Sequence, residues 1–288
     1  MSISRRFMER LRRPEGVPWR SAGLMTESLN ADEAVRSTGW VFNNMTGEGV
    51  SLAQFVDQGD REFTHYSRIM RLDAERARGR SILEIGSGIG RMTCAMTNAY
   101  RQVIAGDVDA AFLERCRESV FAHGTPMRLR TLHIPDGRTV ELPDRSVDVV
   151  FCYITLQHCD RADALALTEQ AVRVAAPGGR IALNYRTWVP FDVVLVPLGV
   201  LVRLAWRLPK VAKYMARVRP LTRLGWQANR LRPREVFAHL ASRGVLDRLV
   251  DCEIVRSPHA TFPIPDTARD VRARRIHRSH WWLVADVA

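Results

Sequence analysis

Three glycines at alternate positions, Gly86, Gly88 and Gly90, follow the apolar run Ile82-Leu83-Glu84-Ile85. A strand that ends in such a loop and runs into a helix brings backbone close to a nucleotide-like ligand. A Cβ would block that approach, and some of the positions need φ > 0. The spacing is G-x-G-x-G. A dinucleotide-binding loop would need its third glycine at position 91, where this chain has Arg91. About twenty residues further on, Gln102-Val-Ile-Ala-Gly-Asp107 reads as a second strand that ends in a carboxylate. An acid at that distance accepts hydrogen bonds from ribose hydroxyls. The competing role for Asp107 is the N-cap of the helical stretch Ala110 to Val120, but Asp109 is the better-placed cap. The competing reading of the glycines is a tight turn with no ligand.

The elements that must position these groups alternate between strand and helix. Apolar runs predict strands at 81–85, 102–107, 127–134, 147–153 and 180–185. Helical patterns fall at 91–100, 110–122 and 160–175, the last ending at Pro177-Gly178-Gly179. Upstream, residues 26–79 read as a helical cap. Asn30 can cap one helix, and Ser51 with Gln54 fits a capping box. That helix stops at Gly59, and another runs from Asp60 to about Ala77. Trp40, Phe42, His65 and Tyr66 are candidates to line a site or simply to pack helices. A late helix from Pro233 to Gly244 and a hairpin of 251–256 with 280–287 complete the chain. Strand–helix alternation implies a parallel sheet.

The chain has 288 residues, ample for a full core, and a formal net charge of +12 carried almost wholly by arginine. Five cysteines, Cys94, Cys116, Cys152, Cys159 and Cys252, show no CxxC pair or metal spacing. They read as reduced thiols of a cytoplasmic protein. Residues 1–13 are basic and amphipathic without the apolar core of a signal peptide. Residues 14–23 read as a Pro/Gly linker.

In order along the chain, these segments resemble the class I S-adenosylmethionine (SAM) methyltransferases. Glu84 to Gly90 resembles motif I. Val103 to Asp109 resembles the second-strand segment, with Asp109 in place of the usual Ser. Leu142-Pro-Asp-Arg-Ser-Val-Asp-Val-Val150 and Leu156-Gln-His158 resemble the fourth-strand segment, and Arg173-Val-Ala-Ala-Pro-Gly-Gly179 the late turn. The likeness covers residues 81–185. It implies a three-layer αβα Rossmann-like sandwich with a mostly parallel seven-stranded sheet, a helical N-terminal cap and an inserted helical lid. The domains would be 1–79, a basic segment and cap, and 80–288, a SAM-binding domain with an insert at about 186–232.

The resemblance also implies roles. Glu84, Gly86, Ser87, Gly88 and Gly90 would shape a SAM pocket, Asp107 and Val108 would meet the ribose, and Asp136, Gly137 and Cys152 would flank adenine. Asp136-Gly137 also reads as a plain turn. His158 would be a general base for a hydroxyl or amine acceptor, with Gln157 a weaker candidate, or it would only pack the loop. The function expected is methyl transfer to a small-molecule acceptor.

The insert matches no motif. Residues 193–202 carry no charge, and residues 193–234 hold ten Arg and Lys and no acid. An apolar segment running into a basic one suggests contact with anionic lipid or a membrane surface, or a lid over an acceptor. The bland reading is a helical insertion with its arginines in water. Two alternatives of function stay open. A nucleic-acid methyltransferase fits the charge, but Cys152-Tyr-Ile-Thr155 stands where an Asn/Asp-Pro-Pro-Tyr/Phe tetrapeptide would be needed. The insert also has few aromatics and no recognisable RNA-binding module. The other is a non-catalytic, membrane-associated scaffold.

Overall fold

The structure is a computed structural model that describes residues 28–42, 50–72, 77–206, 208, 211, 224, 228–255 and 279–288. The expectations for residues 1–23 and for the side chains of Trp40 and Phe42 lie outside the described residues. The chain divides into two compact units, residues 30–189 with 229–288, and residues 1–29 with 190–228.

The larger unit is built on seven strands: β1 Ser81–Ile85, β2 Gln102–Asp107, β3 Leu129–His133, β4 Val147–Cys152, β5 Ala175–Arg186, β6 Leu249–Val255 and β7 His280–Val287. They form one sheet in the order β3-β2-β1-β4-β5-β7-β6. β1 to β5 are parallel and β7 is antiparallel to both its neighbours. The helices are α1 Ala31–Phe42, α2 Leu52–Ile69, α3 Thr93–Ala99, α4 Ala110–His123, α5 Arg161–Val174, α6 Asp192–Trp206 and α7 Pro233–Ser242; α6 belongs to the smaller unit. All five residues of β1 are buried, so its side chains need cover on both faces. On one face Leu83, Val150, Cys152, Leu183 and Trp281 pack with residues of α5 and α7. On the other, Ile82, Phe151, Trp282 and Val284 pack with residues of α2 and α3. This is the αβα sandwich with seven strands that the sequence implied. The chain reverses direction across the sheet between β1 and β4, which is the place where such sheets collect ligands at their carboxyl ends.

Several boundaries differ from the sequence reading. α2 is one continuous helix through Gly59, opened by the Ser51–Gln54 capping box. Gly59 is a packing position: a Cβ there would lie 2.1 Å from the carbonyl oxygen of Arg91. The helix stops before Arg71, which sits at φ 56°. β5 starts at Ala175, straight after α5. The Pro177-Gly178-Gly179 turn bulges out of it, because Val147 pairs with Ala175 while Val149 pairs with Arg180. A Cβ at Gly179 would lie 2.7 Å from the carbonyl oxygens of Ala176 and Asp148. Through Phe63 and Tyr66, with Met70 at its C-terminal cap, α2 is part of the core on the α3 face of the sheet.

Gly59 yields a test of this packing. Alanine is the better helix former by about 1 kcal/mol, but over-packing against fixed backbone costs about 1–3 kcal/mol. Gly59→Ala is expected to lose about 2 kcal/mol of stability in urea unfolding. An unchanged or higher midpoint would show that α2 does not sit so closely on Arg91.

Candidate active site

The glycine loop is held by β2. The N–H groups of Gly86 and Ser87 both donate to the Gly106 carbonyl oxygen, at 2.7 and 3.1 Å. Gly86, Gly88 and Gly90 have φ of 81°, 54° and 92°, a region in which side-chain-bearing residues are strained. At Gly86 a Cβ would also fall 2.1 Å from Thr155 Oγ1, so the loop packs on the chain that leaves β4. At Gly90 it would lie 3.2 Å from the Cys116 backbone on α4. The Ser87 hydroxyl is buried and has no hydrogen-bond partner among the described residues.

Two buried carboxylates flank this loop. Glu84 accepts from Thr93 Oγ1 at 2.6 Å. Burial pushes it up to about 7; the Thr93 hydrogen bond and Arg91 work against the shift, and Asp107 adds to it. Asp107, at the end of β2, accepts from the N–H of Gly88 at 2.8 Å and of Asp109 at 3.0 Å. Burial raises it to about 6 against those hydrogen bonds. The capping of α4 is left to Asp109, which accepts from Ala111 and Phe112 N–H. Asp107 is thus not spent on a helix end. Val108 follows directly, and Gly137 lies against it, its ideal Cβ position 4.0 Å from Val108 Cγ2. Asp136 is exposed and closes its own turn, accepting from Arg138 N–H, Thr139 N–H and Thr139 Oγ1.

The end of β4 carries the third group of residues. Cys152 is 0% exposed in the core on the α5 and α7 face of the sheet, and burial pushes its thiol up to about 12. Its side chain therefore has no surface to offer to adenine in this conformation. Tyr153 stacks on Trp282 at 5.5 Å and an interplanar angle of 5°. Its hydroxyl lies 3.1 Å from that of Tyr66, which brings α2 to the site. Arg91 lies 6.0 Å from the Tyr153 ring and pairs with Glu62 of α2 at 2.8 Å. Half-buried His65 is held below the ordinary histidine range, by desolvation first and by Arg68 second. Ile154 sits at φ 57°, the one β-branched residue among the non-glycine residues described with positive φ. Such a conformation costs on the order of 1–3 kcal/mol and persists only where its surroundings enforce it.

A buried polar chain follows. His280 Nε2 donates to Gln157 Oε1 at 2.9 Å, and the Gln157 amide lies 3.3 Å from His158 Nε2. Ser279 Oγ lies 2.9 Å from His280 Nδ1. Asn229 Nδ2 donates to the carbonyls of Leu156 and Cys159, at 2.6 and 2.7 Å. His158 is thereby tied through Gln157 to the first residue of β7. The sequence reading named His158 and Gln157 but missed His280, Asn229 and Ile154. His280 lies next to Trp281 in a strand that was foreseen; its link across 123 residues to Gln157 leaves no local pattern.

The strand order 3-2-1-4-5-7-6, with the last strand antiparallel and a glycine loop and acid at the ends of β1 and β2, defines a class I, Rossmann-like methyltransferase fold. Residues 82–179 match the family described as "Methyltransferase domain". That match spans about a third of the chain and makes residues 82–179 similar to a methyltransferase domain. It is 30% identical over 120 residues to 27-O-demethylrifamycin SV methyltransferase of Amycolatopsis mediterranei, covering 41% of this chain and 40% of that one. It is 28% identical over 114 residues to ribosomal protein L11 methyltransferase of Azotobacter vinelandii, covering 39% and 36%. The chain thus spans about two fifths of the length of these relatives. Among solved structures, magnesium protoporphyrin IX methyltransferase of Synechocystis PCC 6803 shares the fold. There the TM-score is 0.52 at 16% identity, over 89% of this chain and 98% of that one.

The charge state of Glu84 gives a stability test. Its folded value of about 7 lies above its ordinary 4.5. The fold keeps this proton after the unfolded chain has lost it, so stability falls as pH rises through 4.5 to 7 and the penalty is complete above. Glu84→Gln removes the penalty. Relative to wild type, the variant should gain up to ~3 kcal/mol between pH 4.5 and 7.5. Parallel stability–pH curves for the two proteins would contradict the assignment.

Proposed function

We propose that this chain transfers a methyl group from SAM to a small-molecule acceptor, a natural product, sugar or lipid-like intermediate. The observation that carries the reading is the Gly88 N–H held on the Asp107 carboxylate at the ends of β1 and β2, preceded in the same loop by a buried Ser87 hydroxyl that has no hydrogen-bond partner among the described residues. These groups fit a cofactor that presents a diol and an amino-acid end. Asp107 would take the ribose hydroxyls, since each carboxylate oxygen can accept beyond its present N–H donor. Gly86, Gly88 and Gly90 would leave room for the cofactor, with Glu84 behind the loop. Val108 and Gly137 would border the adenine, and Asp136 would reach it only with an oxygen already holding its own turn. For Cys152 the backbone is the part that remains available.

When bound, SAM supplies an electrophilic methyl group on a sulfonium. The chain's own contribution is alignment and exclusion of water. Tyr153 and Tyr66, rigid against Trp282, would form a wall beside the reacting groups. His158 would take the proton of a hydroxyl or amine acceptor at Nε2 once the acceptor displaces the Gln157 NH2 group that lies on that nitrogen, so Gln157 positions the ring before the acceptor binds. The Amycolatopsis relative, named for 27-O-demethylrifamycin SV, supports the small-molecule class. A cytoplasmic location with peripheral contact to anionic lipid through residues 193–234 goes with this reading. Among the described residues, no helix is long and apolar enough to cross a membrane.

The test is transfer of labelled methyl from SAM into a cell extract that is then fractionated. Label is expected in the small-molecule and lipid fraction with wild type and at background with Asp107→Ala. Label confined to nucleic acid or protein would overturn the acceptor class.

A further inference from the structure

The smaller unit presents a helix whose amphipathicity is inverted. Positions 191, 194, 198, 201, 204 and 208 are three or four apart and so share one side of α6 and its flanks. They are Phe191, Val194, Leu198, Leu201, Leu204 and Leu208, and every one is exposed, from 42% at Leu198 to 78% at Phe191. The buried positions, Asp192, Gly199 and Val202, follow the same period on the other side. At Gly199 a Cβ would lie 2.7 Å from the Leu224 carbonyl oxygen, so that side is closely covered by chain of the same unit. Single exposed leucines are ordinary on a protein surface. A continuous stripe along a 15-residue helix, about 22 Å long, is not.

Charge decides what covers the stripe. Within the smaller unit, residues 193–228 contain seven Arg and Lys and no acid. A second copy docked on this face would bring two such segments together, like charge against like. An anionic bilayer meets both properties at once: its acyl boundary takes the apolar side chains and its headgroups take the cations. The helix is too short to span a hydrocarbon core, which needs about twenty residues, so it would lie flat.

We propose that α6 is an interfacial anchor that seats this protein on an anionic bilayer through the face of Phe191, Leu198 and Leu201. This deepens the lipid-contact part of the proposed function and does not depend on methyl transfer. The test is co-sedimentation of the full chain with vesicles of phosphatidylcholine alone or mixed with phosphatidylglycerol. Wild type is expected to bind the mixed vesicles at least about tenfold more tightly than the neutral ones, less so as salt rises. Leu198→Glu combined with Leu201→Glu is expected to lose at least about tenfold of that affinity, with circular dichroism and S-adenosylhomocysteine binding unchanged. No binding by wild type, or equal binding by the variant, would overturn the anchor. So would a wild-type dimer in sedimentation velocity that the variant splits, since the face would then belong to a second copy. Loss of vesicle binding in the variant, with no homocysteine-analogue binding by wild type, would sink the methyl-transfer reading and leave the anchor standing.

Discussion

The Gly106 carbonyl oxygen accepts from two consecutive N–H groups, those of Gly86 and Ser87, and much of the molecule is arranged to make that possible. The bifurcated contact pulls the loop after β1 down onto β2. It leaves Gly86 at φ 81° with no space for a Cβ against Thr155. Gly106 itself is tight, with a Cβ position 3.3 Å from the Glu84 carbonyl oxygen. Once the loop is pinned there, the Gly88 N–H points to Asp107, and the start of α3 comes close enough to α2 for Gly59 to lie beneath Arg91. α2, the start of α3 and the glycine loop therefore share one set of close backbone approaches.

That arrangement costs free energy locally. Glu84 and Asp107 are both buried acids raised well above their ordinary range by desolvation. Ile154 is held in the left-handed region just after β4. None of the three contributes to stability by itself, and all sit at the carboxyl ends of β1, β2 and β4. Two apolar clusters on opposite faces of the sheet compensate, anchored by fully buried Trp281 and Trp282 on adjacent residues of β7. Strain and buried charge concentrated at one end of a well-packed sheet are what a ligand site requires, because groups there must stay oriented before the ligand arrives.

Much of this was legible in the sequence, and the physical reasons are specific. The G-x-G-x-G spacing and Asp107 lie within one strand–loop–helix–strand unit, so their pattern is local. Asp109 as cap, the Ser51–Gln54 box and the closing hairpin are equally local signals. Gly59 was misread as a helix stop because a packing glycine and a terminating glycine look alike in one dimension; only the approach of Arg91 tells them apart. Cys152 was placed beside the ligand by its position at a strand end, but strand alternation turned its side chain into the core. The Gln157–His280 bond and the positive φ of Ile154 are tertiary outcomes with no sequence period. The apolar run after residue 193 was visible, but which side of α6 faces out required the fold.

The most direct measurement is calorimetric titration of the purified protein with S-adenosylhomocysteine, beside Asp107→Ala. Wild type is expected to bind, and binding is expected to weaken at least tenfold in the variant, about 1.4 kcal/mol. A well-folded wild type that does not bind, or a variant that binds as tightly, would contradict the assignment of the loop and Asp107 to the cofactor.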